Sequence, residues 1–130
     1  NIAKNIVSVE DDKIWFEKIK DKIKNKKNIE LLFRPYDFKK GKNFLNSSFL
    51  KSIDNYDWDV LIVDCHSLNA RITIFNYIQK FKLKNKVIIL DDFWKFKKKV
   101  LNNNICIKFE NFESVGPARY GVTSTAFFYY

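Results

Sequence analysis

Apolar positions in this chain follow two rhythms in turn, and their order predicts an α/β fold. Short aliphatic runs that end at an acid form the first. Val60 to Val63 stops at Asp64, and Val87 to Leu90 stops at Asp91 and Asp92. Uninterrupted runs of this length suit strands buried on both faces, as in the centre of a parallel sheet. Asn5 to Glu10 is a β-branched strand that also ends in an acid, and Ile29 to Phe33 is a strand halted by Pro35, which holds Arg34 extended. Between the runs the period lengthens to that of a helix. Trp15, Ile19 and Ile23, with Phe16 beside them, give one apolar face, and the lysines from Lys18 to Lys27 cover the other. Asp11 or Asp12 can cap that helix, a carboxylate meeting free amides at the positive end of the dipole.

After a loop from Lys39 to Ser48, a short helix is expected through Phe49, Leu50 and Ile53. A longer one over Asn69 to Phe81 presents Ile74, Phe75, Ile78 and Phe81. Asp92 can cap a third, with Phe93, Phe96 and Val100 on its inner side. The rhythm then drops to a period of two over Ile105, Ile107 and Phe109. A loop from Glu113 to Thr123 leads to a terminal strand, Ser124 to Tyr130. No helix separates these last strands, so they are antiparallel neighbours or lie far apart.

Composition sharpens this picture only in places. The chain has 130 residues, enough for one domain over 1–130. Only 3 Gly and 2 Pro argue against disorder, and 13 Phe supply most of the aromatic content. The formal charge of +9 would suit nucleic acid. Its source is lysine, however, with Arg34, Arg71 and Arg119 the only arginines, and arginine is the usual residue for bidentate phosphate or base contacts. Nucleic acid is therefore not the expected partner. Cys65 and Cys106 sit in apolar runs and read as buried thiols of a reducing compartment, which places the chain in the cytoplasm. No CxxC pair or His-rich cluster supports a metal site, and no apolar run is long enough to span a bilayer.

Ligands of open α/β sheets sit outside the carboxyl ends of the strands. Asp64 and His66 stand there as catalytic candidates. His66 is the sole histidine and suits general base work near neutral pH, although a lone loop histidine commonly has no such role. Asp64 could orient a substrate, act as a base, or be a buried structural acid. Arg71 can pair with an acid at the strand ends, bind an anionic substrate, or lie exposed on its helix. Asp91 and Asp92 can line a substrate mouth, with Asp92 equally suited to capping. Gly116 and Pro117 shape a loop from which Arg119 and Tyr120 could reach substrate.

The motifs Ser-Val-Glu at Glu10, Ile-Val-Asp-Cys-His at Asp64, and Leu-Asp-Asp at Asp91 and Asp92, followed by two helix-free strands, resemble the carboxyl-terminal two-thirds of a class I S-adenosylmethionine-dependent methyltransferase. The ending Val-Gly-Pro-Ala-Arg-Tyr-Gly-Val-Thr-Ser-Thr-Ala-Phe-Phe looks like a subgroup of bacterial methyltransferase-like proteins that also carry Arg shortly after the fourth-strand Asp, as Arg71 does. The resemblance implies a three-layer Rossmann-like domain, mostly parallel with an antiparallel terminal strand, and S-adenosylmethionine as cofactor. It implies that Glu10, with Asp11 at its edge, binds the cofactor ribose and adenine, and that Asp64 lies beside the methyl donor. The resemblance leaves the acceptor open, a small or sugar-like molecule being one candidate.

The family's first strand and Gly-rich loop have no counterpart, and no G-x-G occurs. The expectation is therefore an internal fragment, inactive by itself, whose Glu10 strand closes directly against the Asp64 strand. Two other readings stay open. Val-Glu-Asp-Asp, Asp64 and Lys108 imitate a response-regulator receiver, with Asp64 as a Mg²⁺-dependent phosphoacceptor. A Rossmann-like scaffold without catalysis is the other, since fold does not dictate function.

Overall fold

A computed structural model describes residues 3–40, 43–102, 106–115 and 121–130. Among them the chain forms two compact units, Asn1–Tyr56 and Asp57–Tyr130, each with its own sheet.

In the first unit β1 (Ile6–Glu10) runs parallel to β2 (Ile29–Phe33), from Ile6 opposite Ile29 to Glu10 opposite Phe33. The crossover is α1 (Lys13–Ile23). Asp12, rather than Asp11, caps it: its Oδ1 accepts the Ile14 and Trp15 N–H groups at 2.7 and 2.9 Å. The packed stripe of α1 differs from the expected one. Phe16, Ile19 and Ile23 are half-buried, and Phe16 lies 5.1 Å from the Phe33 ring, but Trp15 is exposed. At about 100° per residue, Trp15 is turned a full step away from Phe16 and off that stripe. Beyond β2, the rings of Tyr36, Phe38, Phe44 and Phe49 cluster with centroids 5.0–6.1 Å apart. The short helix expected here is α2 (Ser48–Lys51), continued by a 3₁₀ turn over Ser52–Asn55, with Leu50 fully buried.

The second unit holds a four-stranded sheet in the order β3-β4-β6-β5, with β3 (Val60–Val63), β4 (Val87–Leu90), β5 (Lys108–Val115) and β6 (Val122–Tyr129). β3 and β4 are parallel, whereas β6 is antiparallel to both β4 and β5. One face is the core. Phe128 on β6 meets Phe75 of α3 (Leu68–Ile78) at 4.9 Å, Phe93 at 5.8 Å and Phe109 at 5.2 Å. Val63, Ile88, Leu90 and Ala126 line the same face, and Val100 of α4 (Lys97–Leu101) is fully buried. Each large side chain buried here contributes roughly 1.5–3 kcal/mol.

Three expectations need correction. First, β3 is an edge strand buried on one face only. Val60 and Ile62 are 51% and 64% exposed while Val63 is buried. Phe75 and Phe93 both reach the Phe128 ring, so the helical segments that carry them cover the same face and leave the other open in this unit. Second, among the described residues no ladder joins the Glu10 strand to the Asp64 strand. The ladder partner of β1 is β2 and that of β3 is β4, in separate sheets. Third, β5 begins at Lys108 and continues to Val115, so the hairpin is longer than the alternating residues suggest. The Ile107 N–H bonds the Tyr129 carbonyl at 2.8 Å, but the ladder ends there and its side chain is exposed.

Cys65 is buried just after β3 and Cys106 is half-buried before β5; neither is in a disulfide. No helix among the described residues is long and apolar enough to cross a membrane.

Candidate functional site

At the carboxyl ends of β3 and β4, the second unit gathers its acids around one arginine. The chain leaves β3 at Val63, turns through Asp64, Cys65 and His66, and enters α3 at Ser67, whose Oγ accepts the Ala70 N–H at 3.3 Å. Arg71 is the fourth helical residue, its N–H bonded to the Ser67 carbonyl. Helical side chains lean toward the amino end of their helix, so Arg71 is directed back over the strand ends. It is only 6% exposed.

Every nitrogen of its guanidinium is engaged. Nε donates to the Cys65 carbonyl at 2.6 Å and Nη2 to Asp64 Oδ1 at 2.8 Å. Nη1 donates to the Asp91 carbonyl at 2.8 Å and to Asp91 Oδ2 at 3.3 Å, with Asp92 Oδ2 3.6 Å away. The other Asp91 oxygen accepts the Thr125 hydroxyl of β6 at 3.1 Å. Asp92 Oδ2 lies 2.6 Å from Lys95 Nζ. Asp92 stands at the amino end of the 3₁₀ turn Phe93–Lys95, as its sequence position suggests, but its side chain makes no capping hydrogen bond there. It sits in the left-handed region at φ 53° and turns its carboxylate to these cations instead.

Three carboxylates thus face two cations. Burial pushes the Asp64 carboxyl above its ordinary range; Arg71 pulls it back, and the charges of Asp91 and Asp92, with a hydrogen bond to Asp91, push it up again. Asp64 is also the most accessible of the three acids, its side chain 60% exposed against 39% for Asp91 and 13% for Asp92. An acid that is open to solvent and holds its proton more tightly than usual is suited to proton transfer. Arg71, with its donors turned to protein acceptors, serves this cluster as a scaffold.

The remaining candidates lie elsewhere. His66 is exposed on the turn after β3, and the cluster's hydrogen bonds do not involve it. Glu10 ends β1 in the other unit, where its Oε1 accepts the N–H groups of Asp11 and Asp12, both at 3.0 Å. Asp11 is half-buried beside it. Arg119, with Gly116, Pro117 and Tyr120, lies outside the described residues. Lys108 pairs with Glu110 at 2.7 Å on β5, at the opposite edge of the sheet from β3, so it does not stand beside Asp64 as a receiver would require. Sequence reasoning missed Thr125 and Lys95. Thr125 follows a core-facing serine on β6, and its period-two position was the signal that it faces away from the core. Among the described residues, no group of three or more His, Cys, Asp or Glu could hold a metal ion.

No protein-family model and no curated protein matches the sequence. Among solved structures, the chain is similar to an O-methyltransferase from Bacillus cereus in complex with SAH, with a TM-score of 0.63 at 14% identity. The match covers 95% of this chain and 61% of that one. The chain therefore has the α/β fold of a Rossmann-like methyltransferase, with parallel and antiparallel strands in one sheet, over about three-fifths of the length of that neighbour.

Proposed function

We propose that this chain serves S-adenosylmethionine-dependent methyl transfer in a cytoplasmic protein whose acceptor is open, small or sugar-like molecules being the class to test first. The observation that carries this reading is the fold shared along 95% of the chain with an O-methyltransferase in complex with SAH. Acids at the ends of β1, β3 and β4 support it. Glu10 fits a ribose-binding role: one carboxylate oxygen is held by two backbone amides, which fixes the group while the other oxygen can accept hydroxyl protons. Asp11 is assigned to the adenine edge. The cofactor would supply a methyl group activated on a sulfonium sulfur. Asp64 would accept the proton released as an O–H or N–H acceptor takes that methyl, with His66 as a second base near the same turn. Asp91, Asp92 and Arg119 are assigned to the acceptor side, and Arg71 to holding the first two. Because the chain has no G-x-G turn to approach the methionine end, methyl transfer is assigned to the whole protein, and the 130-residue chain alone should not turn over.

The test is titration of the isotopically labelled chain with SAH. Amide signals from Glu10 to Asp12 should shift, and the shifts should vanish in Glu10→Ala. Shifts that persist unchanged in Glu10→Ala would remove Glu10 from the cofactor.

A further inference from the structure

We propose that Arg71 is a positioning residue for Asp64: it serves as a built-in cation that ties the ends of β3 and β4 together and sets the readiness of Asp64 to take a proton. The inference rests on the reading of Asp64 as the proton acceptor, but its test does not require methyl transfer.

Geometry carries it. One planar group bonds backbone and carboxylate at both strand ends: the Cys65 carbonyl and Asp64 on one side, the Asp91 carbonyl and Asp91 on the other. Such a fork fixes direction as well as charge, and a lysine ammonium, a point charge on a flexible stem, could not reproduce it. Without it, Asp64 and Asp91 would face each other as like charges at neighbouring strand ends, with Asp92 adding a third and Lys95 compensating Asp92 alone. Thr125 completes the arrangement from β6 by holding Asp91 Oδ1, which leaves Oδ2 for Arg71. Three strands and α3 therefore agree on where Asp64 stands.

Arg71 and the acids also oppose one another in their effect on the Asp64 proton. The guanidinium favours the carboxylate, and the neighbouring carboxylates favour the acid. A base of this kind stays ionised enough to act while keeping more proton affinity than a free aspartate. A purely structural arginine would hold the strands without setting that balance.

Carbon-13 carboxyl and nitrogen-15 guanidinium NMR on the chain would decide the matter. In the unaltered protein the Arg71 nitrogen signals should move with the same midpoint as Asp64, a readout that needs no variant. In Asp91→Asn the Asp64 midpoint should fall, because the repelling charge is gone. In Arg71→Lys it should rise even where circular dichroism shows the fold retained. Arg71 signals that ignore the Asp64 titration, or an Asp64 midpoint unmoved in both variants, would overturn the proposal. Midpoints that move as stated, alongside SAH shifts that persist unchanged in Glu10→Ala, would keep Arg71 in its role and remove Glu10 from the cofactor instead.

Discussion

The two units use one local plan and reach different ends with it. In each, an aliphatic strand finishes at an acid, a polar residue caps the following helix, and the fourth helical residue bonds back to that cap: Phe16 to Asp12 in one, Arg71 to Ser67 in the other. Phe16 turns to the sheet and packs on Phe33. Arg71 turns to the strand ends and collects carboxylates. The acid follows suit. Glu10, with an apolar neighbour at the fourth position, closes on its own backbone amides; Asp64, with a guanidinium there, joins a network that also draws in β4 and β6. A single helical position separates a strand end held locally from one held by charge.

Replacement at that position should therefore cost different amounts in the two units. Arg71→Ala removes a buried cation and leaves Asp64 and Asp91 facing each other, with Asp92 still held by Lys95. A loss of about 3 kcal/mol is expected in denaturant unfolding, the low end for breaking a buried pair, because Asp64 is 60% exposed and water takes over part of the compensation. Adding Asp64→Asn to that variant should restore part of the loss, and no restoration would mean the two residues do not act together. Phe16→Ala should cost roughly 1–3 kcal/mol, below the value for a fully buried Phe because the ring is only half-covered. Equal losses at the two positions would erase the distinction.

The smallest expected effect concerns pH. The Asp64 carboxyl is raised in the folded chain, so the folded state binds more protons than the unfolded one as the pH climbs past the ordinary aspartate value. Its stabilising contribution is complete below that value and is lost as the pH rises through the folded one. Asp64→Asn should flatten this slope in melts recorded across acid pH. A slope that persists in Asp64→Asn belongs to another group.

Much of the framework was legible because burial writes itself into period. Ile29–Phe33 and Val87–Leu90 are strands over the residues their aliphatic runs mark, and Phe93, Phe96 and Val100 are buried as their spacing requires. The antiparallel ending follows from the lack of a crossover helix. What failed depends on neighbours rather than on the segment. Four aliphatic residues in a row look alike whether one face of β3 is covered or both. Ile107 continues an alternation that the ladder does not extend to. At the site, the three strand-end acids could be read from their positions, but the burial of Arg71 could not, since charge spacing says nothing about cover. Its place on the first turn after an acid-tipped strand was the available clue. Asp92 holds the position of a cap, in a left-handed backbone conformation and without the capping hydrogen bond.

The open side of β3 has a practical consequence. At the margin of its four-stranded sheet, β3 presents Val60 and Ile62 as an oily surface. Protein surfaces of this kind usually carry a charge or a proline to discourage sticking, and Val-Leu-Ile-Val carries neither. A lysine in place of Ile62 should accordingly raise the solubility of the chain without disturbing the buried face of β3.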